Sequence, residues 1–384
     1  MKRNVYAIID GHAGSCGKGK VIGQYALEKN IDAAITNCMP NAGHTFVSNG
    51  KKRVFSNIPV SSVNKNTELF IGPGSVIDMN SLEREYEENK DILEGREIIV
   101  HPLVPLIKEE HILREKQEIK TGSTFKGCCA CQTEKMMRGH ENIFFKEYKN
   151  IKATDDYYKR LQYHLKNSDY ILLEGAQGCD LDINHSRHYP NTTSRQVSVA
   201  QMLADTGISP LHFKEAIMVI RPFPIRISNE IFDGSEIYSG DYGKKNHELS
   251  WEQINVASYL GQYPTVITDE DIEEYKDVAN DLTEHTTVTK KVRRIFDIDL
   301  ELLKRNIEIN TPAEIYLNFF EQLDSSYTNI HGEYTGSDGV YIDKYRREYL
   351  SWLEEEIGVP ITMLGTGPDL EHYIDRRQFV KKIW

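Results

Sequence analysis

Two short stretches of this chain carry residue types that handle phosphate. Gly14-Ser15-Cys16-Gly17-Lys18-Gly19-Lys20 is a glycine-lysine loop that follows the apolar run Val5 to Ile9. Asn41-Ala42-Gly43-His44-Thr45 comes shortly after a second apolar run, Ala33 to Thr36. A glycine-rich turn between a strand and a helix exposes backbone N–H groups, and the helix N-terminus adds partial positive charge, so anions bind there. Gly14, Gly17 and Gly19 allow close backbone approach, while Lys18 and Lys20 add point charges. The loop is not a Walker A sequence: five residues rather than four separate Gly11 from Gly17, and Gly19 follows Lys18 where Ser or Thr is needed. His44 reads as a turn residue beside Gly43. In a phosphate site it can donate a proton or hydrogen bond to developing charge; elsewhere it is structural or exposed.

Two further stretches carry weaker signals. Thr121-Gly122-Ser123-Thr124 offers hydroxyl and N–H groups of the kind that bind a monophosphate. Lys290-Lys291-Val292-Arg293-Arg294 is a basic run in an acidic chain. It is either a solvated surface or an anion clamp, because an arginine fork matches a carboxylate bidentately.

Elements that could position these loops alternate along the chain. Strands are expected at Val5–Ile9, Ile31–Thr36, Thr67–Ile71, Glu97–Val100, Asp169–Leu173, Ala216–Ile220, Ile315–Phe319 and Ile361–Leu364. Helices are expected at Lys18–Lys29, Ser81–Ile92, Asp155–Asn167 and Tyr345–Glu356. Such alternation implies an α/β fold with a mostly parallel sheet covered by helices on both faces. Ligand sites then collect at the carboxyl ends of the strands, where the loops above lie. No repeat, low-complexity tract or clean linker divides the chain, so residues 1–384 read as one large domain with long functional loops.

The net charge of −12 argues against duplex binding, which needs a basic stripe. It leaves room for a nucleotide, which a few local cations can hold. No apolar run approaches the roughly 20 residues that span a bilayer, and the N-terminus reads as a first strand rather than a signal peptide. A cytoplasmic protein is expected. Cys128-Cys129-Ala130-Cys131 lacks a second Cys/His pair at zinc spacing, so it reads as reduced thiols in a loop.

Taken together, these residues resemble adenylosuccinate synthetase. That family carries Gly-Asp-Glu-Gly-Lys-Gly-Lys where this chain has residues 14–20. Its Asn-Ala-Gly-His-Thr stands intact at 41–45 and its Glu-Gly-Ala-Gln-Gly at 174–178, with Asp182 and Tyr189-Pro190 following in register. Its Gly-Thr-Thr loop is similar to Gly122-Ser123-Thr124, and its Ser-Thr-Gly-Pro-Asp to Gly365-Thr366-Gly367-Pro368-Asp369. The resemblance runs in order from residue 5 to about residue 370.

The resemblance implies a two-step reaction with Mg2+. A nucleoside triphosphate phosphorylates a purine 6-oxygen, and the amine of aspartate displaces the phosphate. It implies triphosphate contacts from Ser15, Cys16, Gly17, Lys18, Gly19, Lys20, Gly43, His44, Thr45 and Arg293, with Asn318, Glu321, Gly365, Thr366 and Gly367 at the base. It implies purine monophosphate contacts from Ser15, Asn41, Ala42, Ser123, Thr124, Gln177, Leu181, Thr193 and Lys291, and from Arg138 reaching across a homodimer. Thr287, Val288, Thr289, Lys291 and Arg293 fall on the aspartate loop; the family has Arg where Lys291 stands. His44 and Gln177 match catalytic positions, and Ser15 with the Gly43 carbonyl would ligate the metal.

The departures carry as much information. Ser15 replaces the aspartate that takes the purine N1 proton, and Cys16 replaces the next acid. Serine is no strong base at neutral pH, and losing such a base costs about 10²–10⁴-fold in rate. A 2-amino group beside N1 supplies a reason: serine is smaller and can both accept and donate. This pattern resembles a phage-borne branch of the family, the 2-aminoadenylosuccinate synthetases, which act on dGMP and feed synthesis of diaminopurine DNA. Asn318-Phe319-Phe320-Glu321 also replaces the family's guanine-reading Thr-Lys-Leu-Asp, which points to ATP or dATP as donor. The alternatives are a divergent IMP-using enzyme in which Asp10 supplies the carboxylate, and a non-catalytic nucleotide-binding protein.

Overall fold

The computed structural model describes residues 1–119, 123–139, 142–232, 235–237, 239–240, 248–285, 290–336 and 339–380. The first apolar run forms strand β1 (Val5–Asp10), and the glycine-lysine loop leads from it into helix α1 (Lys18–Glu28). The second forms β2 (Ala33–Thr36), buried at every position, as a central parallel strand must be. Both lie in a twelve-stranded sheet. Its order is Gly332–Glu333, Tyr373–Asp375, Ile361–Gly365, Glu314–Leu317, Phe213–Ile220, β1, Ile171–Glu174, β2, Glu68–Ile71, Ile98–Val100, Ile151–Ala153, Glu147–Tyr148. Neighbours run parallel except where Tyr373–Asp375 meets Ile361–Gly365 and Glu147–Tyr148 meets Ile151–Ala153.

Alternation along β1 feeds two cores. Val5, Ala7 and Ile9 pack into a cluster on one face and Ile8 into a cluster on the other. Each expected strand forms within a few residues of its expected bounds. The expected helix over 81–92 is two helices, Met79–Glu88 and Lys90–Leu93. They break at Asn89, whose side chain turns back to the Glu85 carbonyl at 2.9 Å.

Two expectations need correction. His44 is not in a turn: it opens strand β3 (His44–Ser48), which pairs antiparallel with β4 (Lys51–Phe55) in a hairpin outside the main sheet. Asn49 and Gly50 at its tip both have positive φ (53° and 71°), as a two-residue hairpin turn requires. The cysteine trio is not in a loop either. Cys128 opens the helix Cys128–Met136, and Cys128 and Cys131 are buried. The Glu115 carboxylate makes that helix possible by accepting from Gly127 N at 2.7 Å and Cys129 N at 2.6 Å. No helix among the described residues is long and apolar enough to cross a membrane.

Candidate active site

Parallel strands aim their carboxyl ends at one edge of the sheet, and the loops that leave there build the site. β1 ends at Asp10, whose carboxylate organises the glycine-lysine loop from beneath. It accepts from His12 N (3.0 Å), Gly14 N (3.3 Å), Cys16 N (3.1 Å) and Cys16 Sγ (3.2 Å), and it faces Lys18 Nζ at 3.3 Å. Burial works against the Asp10 charge, yet Lys18 and these donors hold its carboxyl below the usual range. The Lys18 ammonium also donates to Gln177 O at 2.7 Å. Gly178 lies against the underside of the loop: a Cβ there would sit 2.1 Å from Gly14 N.

These contacts assign Asp10 and Cys16 different work from the one the sequence suggested. Asp10 has 1% of its surface exposed and both its oxygens engaged, so it is a poor candidate for the base that Ser15 replaces. The Cys16 thiol is fully buried and pushed up well above its ordinary pKa by burial and by Asp10. It is a neutral donor to Asp10, and its carbonyl accepts from Asn318 Nδ2 at 3.0 Å. Ser15, between them, is exposed at the crest with φ 58°.

β3 delivers His44 to α1. Gly19 permits this, because a Cβ there would lie 2.8 Å from the His44 Cβ. Burial, then Lys18, pushes the imidazole down to about 3, so it is neutral at ordinary pH. The strand Ile171–Glu174 ends beside it. Gln177, at φ 69°, donates to Asn41 Oδ1 at 3.0 Å and so joins the two motif loops. Ala42 N bonds to Met39 O at 2.9 Å, closing the turn that carries Asn41. Leu181 ends a helical turn after that strand, and its carbonyl receives Thr193 N at 2.8 Å. The Thr193 hydroxyl is buried and has no partner among the described residues, a position from which it can serve a phosphate oxygen.

Arg221 leaves the strand Phe213–Ile220 and is fully buried. It donates to Ser15 O at 3.2 Å, pairs with both oxygens of Glu284, and lies 4.2 Å over the Phe319 ring. Arg293 donates to Ser15 Oγ at 2.7 Å. On the far side of α1, Lys20 is buried against Glu321 and Asp369 and donates to His372 O. Burial pushes Lys20 down and Glu321 up, each toward its neutral form. Glu321 Oε2 and His372 Nδ1 are buried without partners among the described residues. Gly365 and Gly367 line this side, while the Thr366 hydroxyl is spent on Ile330 O. Gly43 and Thr45 are exposed beside the loop, and Lys291 is exposed at the rim.

Other sequence-selected residues lie elsewhere. Ser123 accepts from Phe125 N at 3.2 Å, Thr124 is exposed, and Arg138 is exposed at φ 60° past the helix Cys128–Met136. Among the described residues no hydrogen bond ties these three to the strand-end cluster. Thr287, Val288 and Thr289 lie outside the described residues. Sequence reasoning missed Arg221, Glu284 and His12. Arg221 could have been found by the rule that found the loops, since it follows an apolar strand directly. Glu110, His111 and Glu134 lie close enough to suggest a metal site. His111 Nδ1 accepts from Lys108 N at 3.0 Å, so its other nitrogen carries the proton given to Glu134, and no lone pair is left for an ion.

The glycine-lysine loop, His44 and Gln177 thus meet at the carboxyl ends of a mostly parallel sheet. The sequence model of the family described as Adenylosuccinate synthetase matches residues 7–146 and 142–340, and the chain belongs to that family. It is 33% identical over 338 residues to the N6-succino-2-amino-2'-deoxyadenylate synthase of Vibrio phage phiVC8, covering 84% of this chain and 87% of that protein. The protein of that name from Salmonella phage PMBT28 is 31% identical over 342 residues, at 83% and 85% coverage. The adenylosuccinate synthetase of Pyrococcus horikoshii is 25% identical over 382 residues, at 97% and 98%. Among solved structures, cyanophage S-2L succinoaminodeoxyadenylate synthetase, bound to dGMP and dATP as an energy donor, superposes with a TM-score of 0.76. Its identity is 25%, covering 98% of this chain and 96% of that one.

Proposed function

We propose that this chain is a ligase that joins L-aspartate to C6 of dGMP. ATP or dATP gives its γ-phosphoryl group to the purine 6-oxygen, and the aspartate amine then displaces phosphate. The products are N6-succino-2-amino-2'-deoxyadenylate, the nucleoside diphosphate and phosphate. The similarity to two phage synthases of that name, each over more than four-fifths of the chain, carries the reading. Ser15 at the exposed crest of the loop supports it, where a hydroxyl leaves room for the 2-amino group.

The residues suit this chemistry. The first N–H groups of α1 face the triphosphate, while the loop's own N–H groups at His12, Gly14 and Cys16 are held by Asp10, and positioning with electrostatics does most of the work in phosphoryl transfer. Neutral His44 donates a hydrogen bond to the transferring group rather than a charge. Gln177 holds the 6-oxygen region, and Thr193, with Ser123 and Thr124, receives the monophosphate. Lys291 and Arg293 receive the aspartate carboxylates. The donor base sits among Asn318, Glu321 and Gly365 to Gly367. Arg138 completes the site across a homodimer in the host cytoplasm.

Mg2+ fits this site as a partner of the phosphates. Ser15 Oγ and the Gly43 carbonyl are hard oxygen donors but bring no charge, since the nearby carboxylate of Asp10 is engaged below. When bound, the ion neutralises charge on the triphosphate. Arg293 must first leave Ser15 Oγ, because its guanidinium occupies the same oxygen.

Phosphate release with Mg2+, aspartate and ATP or dATP tests the reading. Turnover with dGMP and little with IMP is the expected result. Preference for IMP would overturn it, and the close packing of Asp10 leaves that outcome without an evident base.

A further inference from the structure

We infer that Arg221 and its counter-ion Glu284 are positioning residues that set the backbone and hydroxyl of Ser15. Ser15 holds a left-handed backbone conformation that is strained for a residue with a side chain, so its surroundings must enforce it. Two arginines do so. Arg221 Nη1 donates to the Ser15 carbonyl at 3.2 Å, and Arg293 Nη1 donates to the Ser15 hydroxyl oxygen at 2.7 Å. Glu284 links both: its carboxylate pairs with Arg221 through two oxygens, and its carbonyl accepts from Arg293 N at 2.9 Å.

The same guanidinium reaches the donor side of the site. Arg221 Nη2 donates to Gln322 Oε1 at 3.2 Å, and its plane lies over Phe319. One side chain therefore fastens the loop crest, the segment bearing Glu284 and the turn 319–322. Arg221 is fully buried, so it cannot meet a substrate directly and acts through what it holds. Once Arg293 gives up the Ser15 oxygen, its two lone pairs and its O–H proton are free for the Mg2+ ion, the purine edge and a phosphoryl oxygen. A lysine could not replace Arg221, because an ammonium lacks the fork that spans Ser15 and Glu284.

The inference rests on Ser15 acting at the purine, and its test separates the two ideas. Glu284→Gln and Arg221→Lys are made alone and combined with Ser15→Ala. Kinetics are read on whichever purine monophosphate the unaltered protein turns over, so a preference for IMP leaves the test intact. Each single variant is expected to lower kcat about tenfold, within the range for groups in contact. KM for the monophosphate stays within about twofold, and Ser15→Ala removes the effect. Losses that multiply with Ser15→Ala, or a rise in KM alone, would overturn it. Hydrogen exchange over residues 12–17 provides a reading that needs no turnover: it rises in both variants if the clamp holds the loop, and unchanged exchange rejects the inference.

Discussion

Lys18 and Lys20 sit two residues apart on α1 and face opposite kinds of surroundings. Lys18 points into a finished network. Asp10 is its counter-ion, Gln177 O takes a second hydrogen, and Asp10 in turn is filled by backbone donors and the Cys16 thiol. Lys20 points into an unfinished one. Glu321 and His372 each keep a buried atom without a partner there, and burial drives both Lys20 and Glu321 toward neutrality. A network complete within the chain serves to hold a loop in shape. A network with orphaned donors and acceptors carries a desolvation cost that a bound partner can relieve. The Lys18 side is thus scaffold, and the Lys20 side is where, on the proposed function, a donor nucleotide would complete the structure.

Removing Asp10 gives the largest expected effect. Asp10→Asn leaves a buried ammonium without its counter-ion and puts an amide N–H against backbone donors. It should cost about 3–5 kcal/mol of unfolding free energy, measured by urea denaturation. If Asp10→Asn instead unfolds like the parent and loses only turnover, Asp10 is chemical rather than structural and the contrast fails. Glu321→Ala should behave in the opposite manner. Stability changes by less than about 1 kcal/mol, since Asp369 remains as a counter-ion to Lys20 and the unpartnered Oε2 is removed, while KM for ATP or dATP rises about tenfold. A large loss of stability with KM unchanged would put Glu321 in the scaffold.

The same contrast separates what could be read in the sequence from what could not. The central strands were legible because parallel strands buried on both faces are plain apolar runs, and the glycine-lysine loop lies directly after one of them and His44 a short way after another. The hairpin of β3 and β4 carries its own signal, Asn49-Gly50 between strands, and lies just where the family motif draws attention to His44 instead. The helix at Cys128 has no local cap: its capping carboxylate, Glu115, comes from another helix, so only the fold reveals it. The clamp on Ser15 is the extreme case. Its hydrogen bonds join residues 206 and 278 positions apart, and no local pattern encodes such pairs.

Two histidines on the Lys18 side make the contrast visible in pH. Burial pushes His12 down to about 4 and His44 down to about 3. Below pH 6.5 the unfolded chain takes up protons that the fold refuses, so each histidine removes stability as pH falls toward its folded value. The slope is at most about 1.4 kcal/mol per pH unit for each group. Glu174 acts in the other direction. Burial raises it to about 7, so its fold-favoured proton is lost as pH rises from 4.5 through 7, and stability with it. Glu85 and Glu321, also raised to about 7, oppose the histidines as Glu174 does, so from pH 5 to pH 6 the change in unfolding free energy, measured by urea denaturation, should be about 1 kcal/mol less positive for His12→Asn than for the parent. The same change in both would mean that His12 is protonated in the fold.

Replacing Cys16 should leave turnover unaltered and change stability alone, and it is informative because the family carries an acid there. In this chain the side chain turns inward and gives its S–H to Asp10 Oδ1, where a second carboxylate would meet the first in a dry site. Asp10 keeps its other donors when the thiol is removed, so Cys16→Ala should cost about 1–2 kcal/mol, and Cys16→Ser, which retains a donor, less than that. Turnover should be unaltered in both, because the thiol meets no substrate. A thiol so buried and neutral should also resist alkylation in the native protein until the loop opens. If alkylation is instead fast and ATP blocks it, Cys16 faces the triphosphate, and the finished network around Lys18 is only one of two states of the loop.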